Sequence, residues 1–310
     1  MLSHWETESN GVALILLSTG SSVCSGSLIN NTSQNNKPLF LTAFHCVDVY
    51  SPRGSIDSAE IARAQNWGYR FNYKTTTCDG SIISTTYFYN HAYFRAAWQP
   101  TDFTLMELID SITHNATFLG WDRTGNNPSS GTGIHHPAGM VMKISFDNNA
   151  LTSNSSVINW SDGTQSPVNS HWTVGYDNGT TEGGSSGSPL FDQNHRVVGQ
   201  LHGGSPGCPP VTKYYGKFDL SWTGNGTDNT RLSNWLDPNN TGVTVLDGAC
   251  TAVNFTDQTV TTDTDVVSCG DIHVQNVTVT NDAKLTLDAA GETLIESNFE
   301  VLSGSELEIK

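Results

Sequence analysis

Three short segments of this chain carry side chains that together could perform acyl transfer. Ser186 lies in the sequence Gly-Ser-Ser-Gly-Ser-Pro at 184–189, His45 ends the run Leu-Thr-Ala-Phe-His at 41–45, and Asp102 opens the apolar run at 103–108. Acyl transfer needs a hydroxyl nucleophile, an imidazole that accepts its proton, and a carboxylate that fixes the imidazole tautomer. Other hydrolase folds place these groups in other orders along the chain, so the order His, Asp, Ser is informative.

Each segment also has an ordinary interpretation. A serine between glycines is usually a turn residue, a lone histidine after an apolar strand is usually a packed core residue, and an aspartate at a strand end is often a cap. The joint occurrence of His45, Asp102 and Ser186 favours catalysis. Gly184 and Gly187 allow a tight loop, and we expect the backbone N–H groups of Gly184 and Ser186 to form an oxyanion hole, where one lost donor costs on the order of 10²- to 10³-fold in rate.

The composition limits the class of protein. The chain has 310 residues and a formal net charge of −16, and only 14% of its residues are charged. Clustered Lys and Arg are needed to neutralise phosphates, so a nucleic-acid partner is not expected. The sequence has no apolar run of 18 residues, which predicts that the chain has no membrane-spanning helix. Residues 12–17 are apolar without a basic leader and predict a buried strand, so we expect any export signal to have been removed.

Six cysteines favour an oxidising compartment. Cys24 and Cys46 bracket the segment that ends at His45, and a bridge between them would anchor that histidine. Cys250 and Cys269 are close in sequence and form a plausible second pair. The pairing of Cys78 and Cys208 cannot be deduced from spacing. We therefore expect a secreted or extracellular protein.

The pattern along the chain predicts two units. Up to residue 248, short apolar runs alternate with Gly, Pro, Asn and Ser clusters, which is typical of an all-β sandwich or barrel. Residues 103–108 and 196–201 are predicted strands, and residues 232–236 form a predicted short helix that stops at Asp-Pro. Residues 249–310 alternate Thr, Val and Asp, and a weak repeat of about 22 residues suggests a β-solenoid. It aligns four positions with four others: Val277, Val279, Leu285 and Leu287 with Phe299, Val301, Leu307 and Ile309.

The predicted C-terminal β-repeat module at 249–310 carries no recognisable chemistry. An attachment or sorting module, with a cell-surface or sorting partner, and a purely stabilising cap are equally compatible with its sequence. The pair His135-His136 could suggest a metal site. Adjacent histidines on an extended segment point to opposite faces, and no Cys or carboxylate cluster accompanies them, so we expect neither a metal nor an organic cofactor.

The chain resembles the chymotrypsin-fold serine proteases, and within them the bacterial lysyl endopeptidases. The resemblance covers roughly residues 24–248, and the segments that carry it are 24–31, 41–46, 102–108, 120–123, 134–137, 184–189, 199–204 and 233–238. It implies two six-stranded antiparallel β-barrels with the triad in the cleft between them, and it assigns the triad roles to His45, Asp102 and Ser186.

The sequence departs from its relatives at specific positions. Many trypsin-like enzymes have an aspartate before the nucleophile that pairs with a newly cleaved N-terminal ammonium, whereas this chain has Ser185, as lysyl endopeptidases do. Activation by that ion pair is therefore not expected. Lysyl endopeptidases also have an aspartate two residues before a Tyr-Gly pair, which receives the substrate lysine, and Lys213 stands there in this chain. Lys213 would repel a lysine, so it either favours an acidic or polar side chain at P1, the residue before the cleaved bond, or points away from the pocket.

The resemblance implies further substrate contacts. Trp160 and His202 match a tryptophan and a histidine that stack beside the cleft in lysyl endopeptidases. The sequence around Trp160 is too different to align securely, so it could be a loop aromatic without a role, and the match of His202 is better supported. The backbone of Leu201, His202 and Gly203 would form an edge that pairs with an extended substrate. Relatives pair the cysteines that match Cys78 and Cys208 with an N-terminal stretch that precedes this sequence. We expect those two cysteines to be unpaired or joined to each other, and the chain to be part of a longer precursor.

The sequence therefore predicts a secreted serine endopeptidase that acts on polypeptides through an acyl-enzyme on Ser186. One alternative is a catalytically inactive homologue whose cleft binds a peptide or protein, which the complete set of three groups disfavours. Another is an esterase of a different fold, which would need a parallel α/β pattern and another triad order.

Overall fold

The computed structural model describes residues 4–77, 80–209 and 211–310. The chain divides into two compact units, one made of Met1–Ser111 and Phe118–Gly248 and the other of Ile112–Thr117 and Ala249–Lys310. The segment Ile112–Thr117 belongs with the C-terminal unit although it lies in the middle of the sequence. No composition change marks this segment, so sequence patterning alone could not assign it.

Short helices accompany an extensive set of strands. The α-helices are α1 (Glu6–Ser9), α2 (Phe44–Val47), α3 (Ser58–Gln65), α4 (Phe218–Thr223) and α5 (Ser233–Leu236), with 3₁₀ turns at Gln99–Thr101 and Pro137–Gly139. The first unit has the strands β1 (Val12–Leu16), β2 (Ser22–Leu28), β3 (Leu39–Ala43), β4 (Gly68–Phe71), β5 (Tyr87–Asn90), β6 (Ala92–Trp98), β7 (Phe103–Leu108), β9 (Trp121–Asp122), β10 (Gly131–His135), β11 (Lys143–Asp147), β12 (Thr152–Ser153), β13 (Ile158–Asn159), β14 (Gln165–Ser166), β15 (His171–Gly175), β16 (Pro189–Phe191), β17 (Val197–Gly204), β18 (Thr212–Lys217) and β19 (Val245–Leu246), and β8 (Thr117–Phe118) crosses the boundary. The second unit has β20 (Ala249–Cys250), β21 (Val253–Val260), β22 (Thr264–Ser268), β23 (Ile272–Val279), β24 (Lys284–Ala289), β25 (Thr293–Ile295), β26 (Phe299–Val301) and β27 (Glu306–Ile309).

The first unit contains two large sheets. One has seven antiparallel strands in the order β5-β4-β1-β2-β3-β7-β6, and the other follows the path β11-β10-β16-β17-β18-β15-β12, with β9 and β19 beside β17. Pairing in the second sheet is antiparallel apart from the parallel contact of Val197 with Trp121. The prediction of an all-β fold of the chymotrypsin type is confirmed. The two sheets have seven and nine strands where six each were expected, because short edge segments extend them.

The core of the first unit joins residues of both sheets. Burial of large apolar side chains drives this packing, since each contributes about 1.5–3 kcal/mol when fully removed from water. The shared cluster includes Leu41 and Phe103 from the first sheet and Phe191 and Val197 from the second. The predicted strand at 103–108 and the predicted helix before Asp-Pro are both confirmed, as β7 and α5. A second cluster lies around Trp172 and Tyr215.

The second unit is a stack of parallel strands, as its repeat predicted. Val277 pairs in register with Phe299, and Leu285 pairs with Leu307, each at an offset of 22 residues. The other two aligned pairs of the repeat, Val279 with Val301 and Leu287 with Ile309, are also in register. Inward-facing Val and Leu side chains form a narrow apolar seam, so this unit has its own core.

Across residues 4–77, 80–209 and 211–310, no helix combines the length and apolarity needed to cross a bilayer.

Candidate active site

His45 is held at the end of a buried strand. β3 is buried throughout and runs directly into the single helical turn α2, which carries His45. The Thr42 hydroxyl donates to the Ser25 carbonyl at 2.8 Å and ties β3 to β2. The predicted disulfide between Cys24 and Cys46 is confirmed, and it links β2 to the residue after His45. The imidazole is therefore fixed from both sides while its side chain stays 26% exposed.

Asp102 meets His45 from the adjacent strand. It caps the 3₁₀ turn before β7 with a left-handed backbone, φ 58°, and is 1% exposed. Its Oδ2 lies 2.9 Å from His45 Nδ1, and its Oδ1 accepts the backbone N–H of His45 at 2.9 Å. Its carbonyl accepts the N–H of Phe44 at 2.8 Å. Asp102 thus orients both the ring and the main chain of the histidine, which an aspartate that merely capped the strand would not do.

The pair has the electrostatics of a base with its supporting carboxylate. Burial alone would lower the pKa of His45, but the charge and hydrogen bond of Asp102 outweigh that effect and the pKa of His45 is raised. Asp162 also raises this pKa, and Arg53 lowers it. Burial raises the pKa of Asp102, against the opposing effect of His45.

The loop of Ser186 packs against the strands that carry His45. The Ser186 carbonyl accepts the N–H of Ser25 at 2.8 Å. Gly187 has φ +81°, and a side chain there would meet Thr42 Oγ1 at 2.2 Å, so only glycine allows this approach. Across the described segments, no hydrogen bond joins Ser186 Oγ to His45 Nε2. The three predicted segments therefore meet in one place.

The same loop has unused backbone donors. Gly184 has φ +90°, and a side chain there would lie 3.0 Å from the backbone nitrogen of Gly139. In the part of the chain that the structure describes, the N–H groups of Gly184 and Ser186 have no acceptor, whereas those of Ser185 and Gly187 are taken by Glu182 and Leu201. Free N–H groups beside a nucleophile are what an oxyanion hole requires.

Three aromatic rings lie in a row, those of Trp160, His202 and His45. The ring of Trp160 stacks on that of His202, with centroids 3.6 Å apart, and His202 stacks on His45 at 5.2 Å. His171 Nε2 lies 3.0 Å from His202 Nδ1 and fixes the ring from behind. Trp160 and His202 are thus brought together as the resemblance implied. His171 lies in no recognisable motif, so its contact with His202 could not be deduced from the sequence.

The expected substrate-pairing edge is only partly open. Leu201 donates its N–H to the Ser188 carbonyl and accepts the N–H of Gly187, so its backbone groups are occupied by the loop that carries Ser186. The pairing of β16 with β17 ends at Gln200. His202 and Gly203 lie beyond that point, and Gly203 approaches Trp160 closely.

The side chain of Lys213 is buried inside the first unit. It is 2% exposed, and its Nζ donates to the carbonyl oxygens of Thr181 at 2.9 Å and of Ser205 at 2.7 Å. Burial lowers the pKa of its ammonium group, partly offset by the charge of Glu182. No carboxylate among the residues that the structure describes is close enough to form an ion pair with it. A buried ammonium without a counter-ion is suited to an anionic or polar ligand.

Among the residues that the structure describes, two groups bring possible metal-ligand atoms together. Cys24, His45 and Cys46 lie close together, but both sulfurs are in the disulfide. His45, Asp102 and His202 place ligand atoms within 4.8 Å of one another. The two imidazole planes are nearly parallel, at 15°, so their in-plane lone pairs do not converge on one point. Neither group has the geometry of a metal centre.

The remaining cysteine predictions have different outcomes. The Cys250–Cys269 disulfide is confirmed. Cys208 is exposed and is a free thiol within the described residues, and Cys78 lies outside them, so whether the two are joined is not tested.

The fold and the His45–Asp102 pair define a homologue of the chymotrypsin-fold serine endopeptidases. The chain belongs to the lysyl endopeptidase C-terminal domain family, whose model matches residues 2–218. A lysyl endopeptidase from Pseudomonas aeruginosa is 30% identical over 214 residues, which is 66% of this chain and 42% of that protein. The chain therefore spans about two fifths of the length of that relative.

Two solved structures are also similar to this chain. A human heparin binding protein has 12% identity and a TM-score of 0.46, over 75% of this chain and 92% of that one. The Rv3671c protease from M. tuberculosis, in its active form, has 15% identity and a TM-score of 0.42, over 68% of this chain and 77% of that one.

Proposed function

We propose that this protein is a secreted serine endopeptidase that hydrolyses polypeptides through an acyl-enzyme on Ser186. The observation that carries the proposal is the pair of hydrogen bonds from His45 to Asp102, one from the ring and one from the backbone. They fix the tautomer with Nδ1–H and direct Nε2 outward. No metal or organic cofactor is invoked. The two disulfides support a location outside the reducing cytosol.

The reaction assigns each group one task. His45 Nε2 accepts the Ser186 proton as Oγ attacks the scissile carbonyl, and Asp102 stabilises the imidazolium that forms. The N–H groups of Gly184 and Ser186 receive the developing oxyanion. The imidazolium then protonates the leaving amine, and water repeats the sequence on the acyl-enzyme. We assign backbone pairing with the substrate to His202 and Gly203, because the N–H and C=O of Leu201 are already hydrogen-bonded within the protein.

We further propose that the P1 pocket accepts acidic or polar side chains and rejects lysine and arginine. Lys213 occupies the position at which lysyl endopeptidases carry an aspartate, and it uses two of its three N–H donors on Thr181 and Ser205. We propose that the third binds an oxygen of the P1 side chain. Two like charges 4 Å apart repel by about 4 kcal/mol at an effective dielectric of 20, enough to exclude a basic P1 residue.

Labelling with a fluorophosphonate tests the catalytic assignment. The wild-type protein should be labelled at Ser186, Ser186→Ala should not, and Ser155→Ala, which alters an exposed serine, should label like wild type. A wild-type protein that is not labelled would favour the alternative of an inactive, peptide-binding homologue. Mass spectrometry of peptides released from a denatured protein then tests the pocket, and dominant cleavage after lysine would overturn the P1 proposal.

The second unit is assigned an accessory role. It has its own core of stacked strands, and neither of the candidate metal-ligand groups found among the described residues lies in it. We propose that it attaches, sorts or stabilises the protein rather than taking part in hydrolysis. A chain truncated after Gly248 that kept its rate per labelled site would support this separation of tasks.

A further inference from the structure

A buried hydrogen-bond chain reaches the residue that precedes the nucleophile. Ser185 is fully buried, and its Oγ lies 2.9 Å from His135 Nδ1. The other ring nitrogen of His135 lies 3.1 Å from Ser145 Oγ. The proposed mechanism uses none of these three side chains, and buried polar groups are costly unless they are paired, so their arrangement needs an explanation.

The hydrogen bonds in this series have only one consistent assignment of donors and acceptors. Ser145 Oγ donates to the Thr180 carbonyl at 3.3 Å, so it accepts from His135 Nε2–H. His135 Nδ1 must then accept the proton of the Ser185 hydroxyl, which itself accepts the N–H of Glu182 at 3.2 Å. Burial, with smaller effects of His136 and Lys213, lowers the pKa of His135 to about 3, so the ring is neutral and able to accept.

The residues after His135 hold the next part of the same loop. Ala138 donates its N–H to the Gly183 carbonyl at 2.6 Å. The His136 N–H donates to Ser25 Oγ at 3.0 Å, and that hydroxyl donates to the Gly184 carbonyl at 2.9 Å. Three consecutive residues, 183–185, are therefore fixed by one segment, 135–138.

We propose that segment 135–138, with Ser25 and Ser145, is a clamp that positions the backbone N–H groups of Gly184 and Ser186 for catalysis. The inference rests on the proposed function, and it concerns how the active loop is set. His135 and Ser185 are positioning residues, because neither touches a reacting atom. The clamp lies wholly inside the folded chain and consists of neutral groups, so it replaces an ion pair between a loop carboxylate and a cleaved N-terminal ammonium.

Two substitutions remove the same hydrogen bond from opposite ends. Ser185→Ala deletes the hydroxyl, and His135→Gln keeps a donor near the Nε2 position while losing the Nδ1 acceptor. His135→Asn retains an acceptor near the Nδ1 position. Ser27→Ala is the matched control, since Ser27 is a buried serine of β2 whose hydroxyl has no partner in the described structure.

The readouts separate positioning from folding. Fluorophosphonate titration counts competent sites, and kcat for p-nitrophenyl acetate is expressed per titrated site. We expect Ser185→Ala and His135→Gln each to lower kcat about 10- to 100-fold with little change in KM, because a small displacement of oxyanion donors costs transition-state binding. Inhibition by a peptide aldehyde, whose adduct places an oxyanion in the hole, should weaken by the same factor. The Ser27→Ala rate should match that of wild type.

Coupling between the two positions completes the test. Because both variants break one bond, the double variant should be no slower than the worse single variant, and His135→Asn should recover part of the rate. Wild-type kcat and aldehyde affinity in both single variants would overturn the clamp while leaving the protease assignment intact. A wild-type protein that fluorophosphonate cannot titrate would instead overturn the protease assignment and the clamp with it.

Discussion

The carboxylate of Asp102 binds His45 twice, through the ring Nδ1 at 2.9 Å and through the backbone N–H at 2.9 Å. The ring and the main chain of the histidine therefore cannot move independently. Asp102 adopts a left-handed backbone to reach both groups, a conformation that asparagine tolerates nearly as well. Asp102 can therefore be replaced by asparagine without backbone strain.

Asp102→Asn should leave the fold intact and lower kcat by about 10⁴-fold. The amide keeps an oxygen for one of the two hydrogen bonds, but its NH₂ group opposes the Nδ1–H tautomer that the base needs. Steady-state kinetics on a peptide from the library experiment would measure the loss. Asp122→Asn is the control and should retain full activity, because within the described residues this carboxylate accepts hydrogen bonds from Thr124 alone. A fall of less than tenfold in Asp102→Asn would contradict the assigned role.

The pH dependence should follow the ionisation of His45. Since the pKa of His45 is raised and the neutral ring is the active form, kcat/KM should fall as pH drops through a value above that of an ordinary histidine. Asp162 raises this pKa and Arg53 lowers it, so Asp162→Asn should move the acid limb to lower pH and Arg53→Gln should move it to higher pH. Profiles of the two variants that shift together, or not at all, would show that another group controls the limb.

Lys213→Asp should convert the P1 preference to lysine. The new carboxylate would find no partner in the carbonyls of Thr181 and Ser205 until a substrate ammonium enters. The swing in kcat/KM between glutamate and lysine at P1 should be roughly 10³-fold, equivalent to about 4 kcal/mol. Lys213→Met, a neutral side chain of similar length, should lose the acidic preference without gaining the basic one. An unchanged cleavage pattern in both variants would place Lys213 outside the pocket.

Buried neutral histidines should make the first unit sensitive to acid. Burial lowers the pKa of His135 and of His171 to about 3 and that of His136 to about 4. Their folded-state pKa values are depressed, so their contribution is fully present above the pKa of unfolded histidine and is lost as pH falls toward those values. Each group costs up to about 1.4 kcal/mol per pH unit in that window. Urea unfolding at pH 7 and pH 5 should show the loss, and His171→Gln should reduce it.

The sequence predicted the parts of the site that are carried by local motifs. His45, Asp102 and Ser186 stand in distinctive short segments, and the 22-residue repeat of the second unit fixed its register, because a parallel stack repeats one offset along the chain. The contact of His135 with Ser185 joins residues 50 positions apart, and nothing local distinguishes it from an unrelated pair.

Side-chain direction was the other gap in the prediction. The sequence could place Lys213 at the pocket only by resemblance, and it left open whether the side chain points away from the pocket. The structure buries the ammonium against two carbonyl acceptors on separate segments, Thr181 and Ser205, and a role of Lys213 in the P1 pocket remains a proposal. The sequence also could not predict that the backbone of Leu201 is occupied, since this depends on how the loop of Ser186 folds back onto β17.

The hydroxyl of Ser185, bound to a neutral histidine deep inside the protein, has a consequence for control of the activity. Under the proposed function, a loop held by such internal partners takes its shape as the chain folds, without a newly cleaved N-terminal ammonium to complete it.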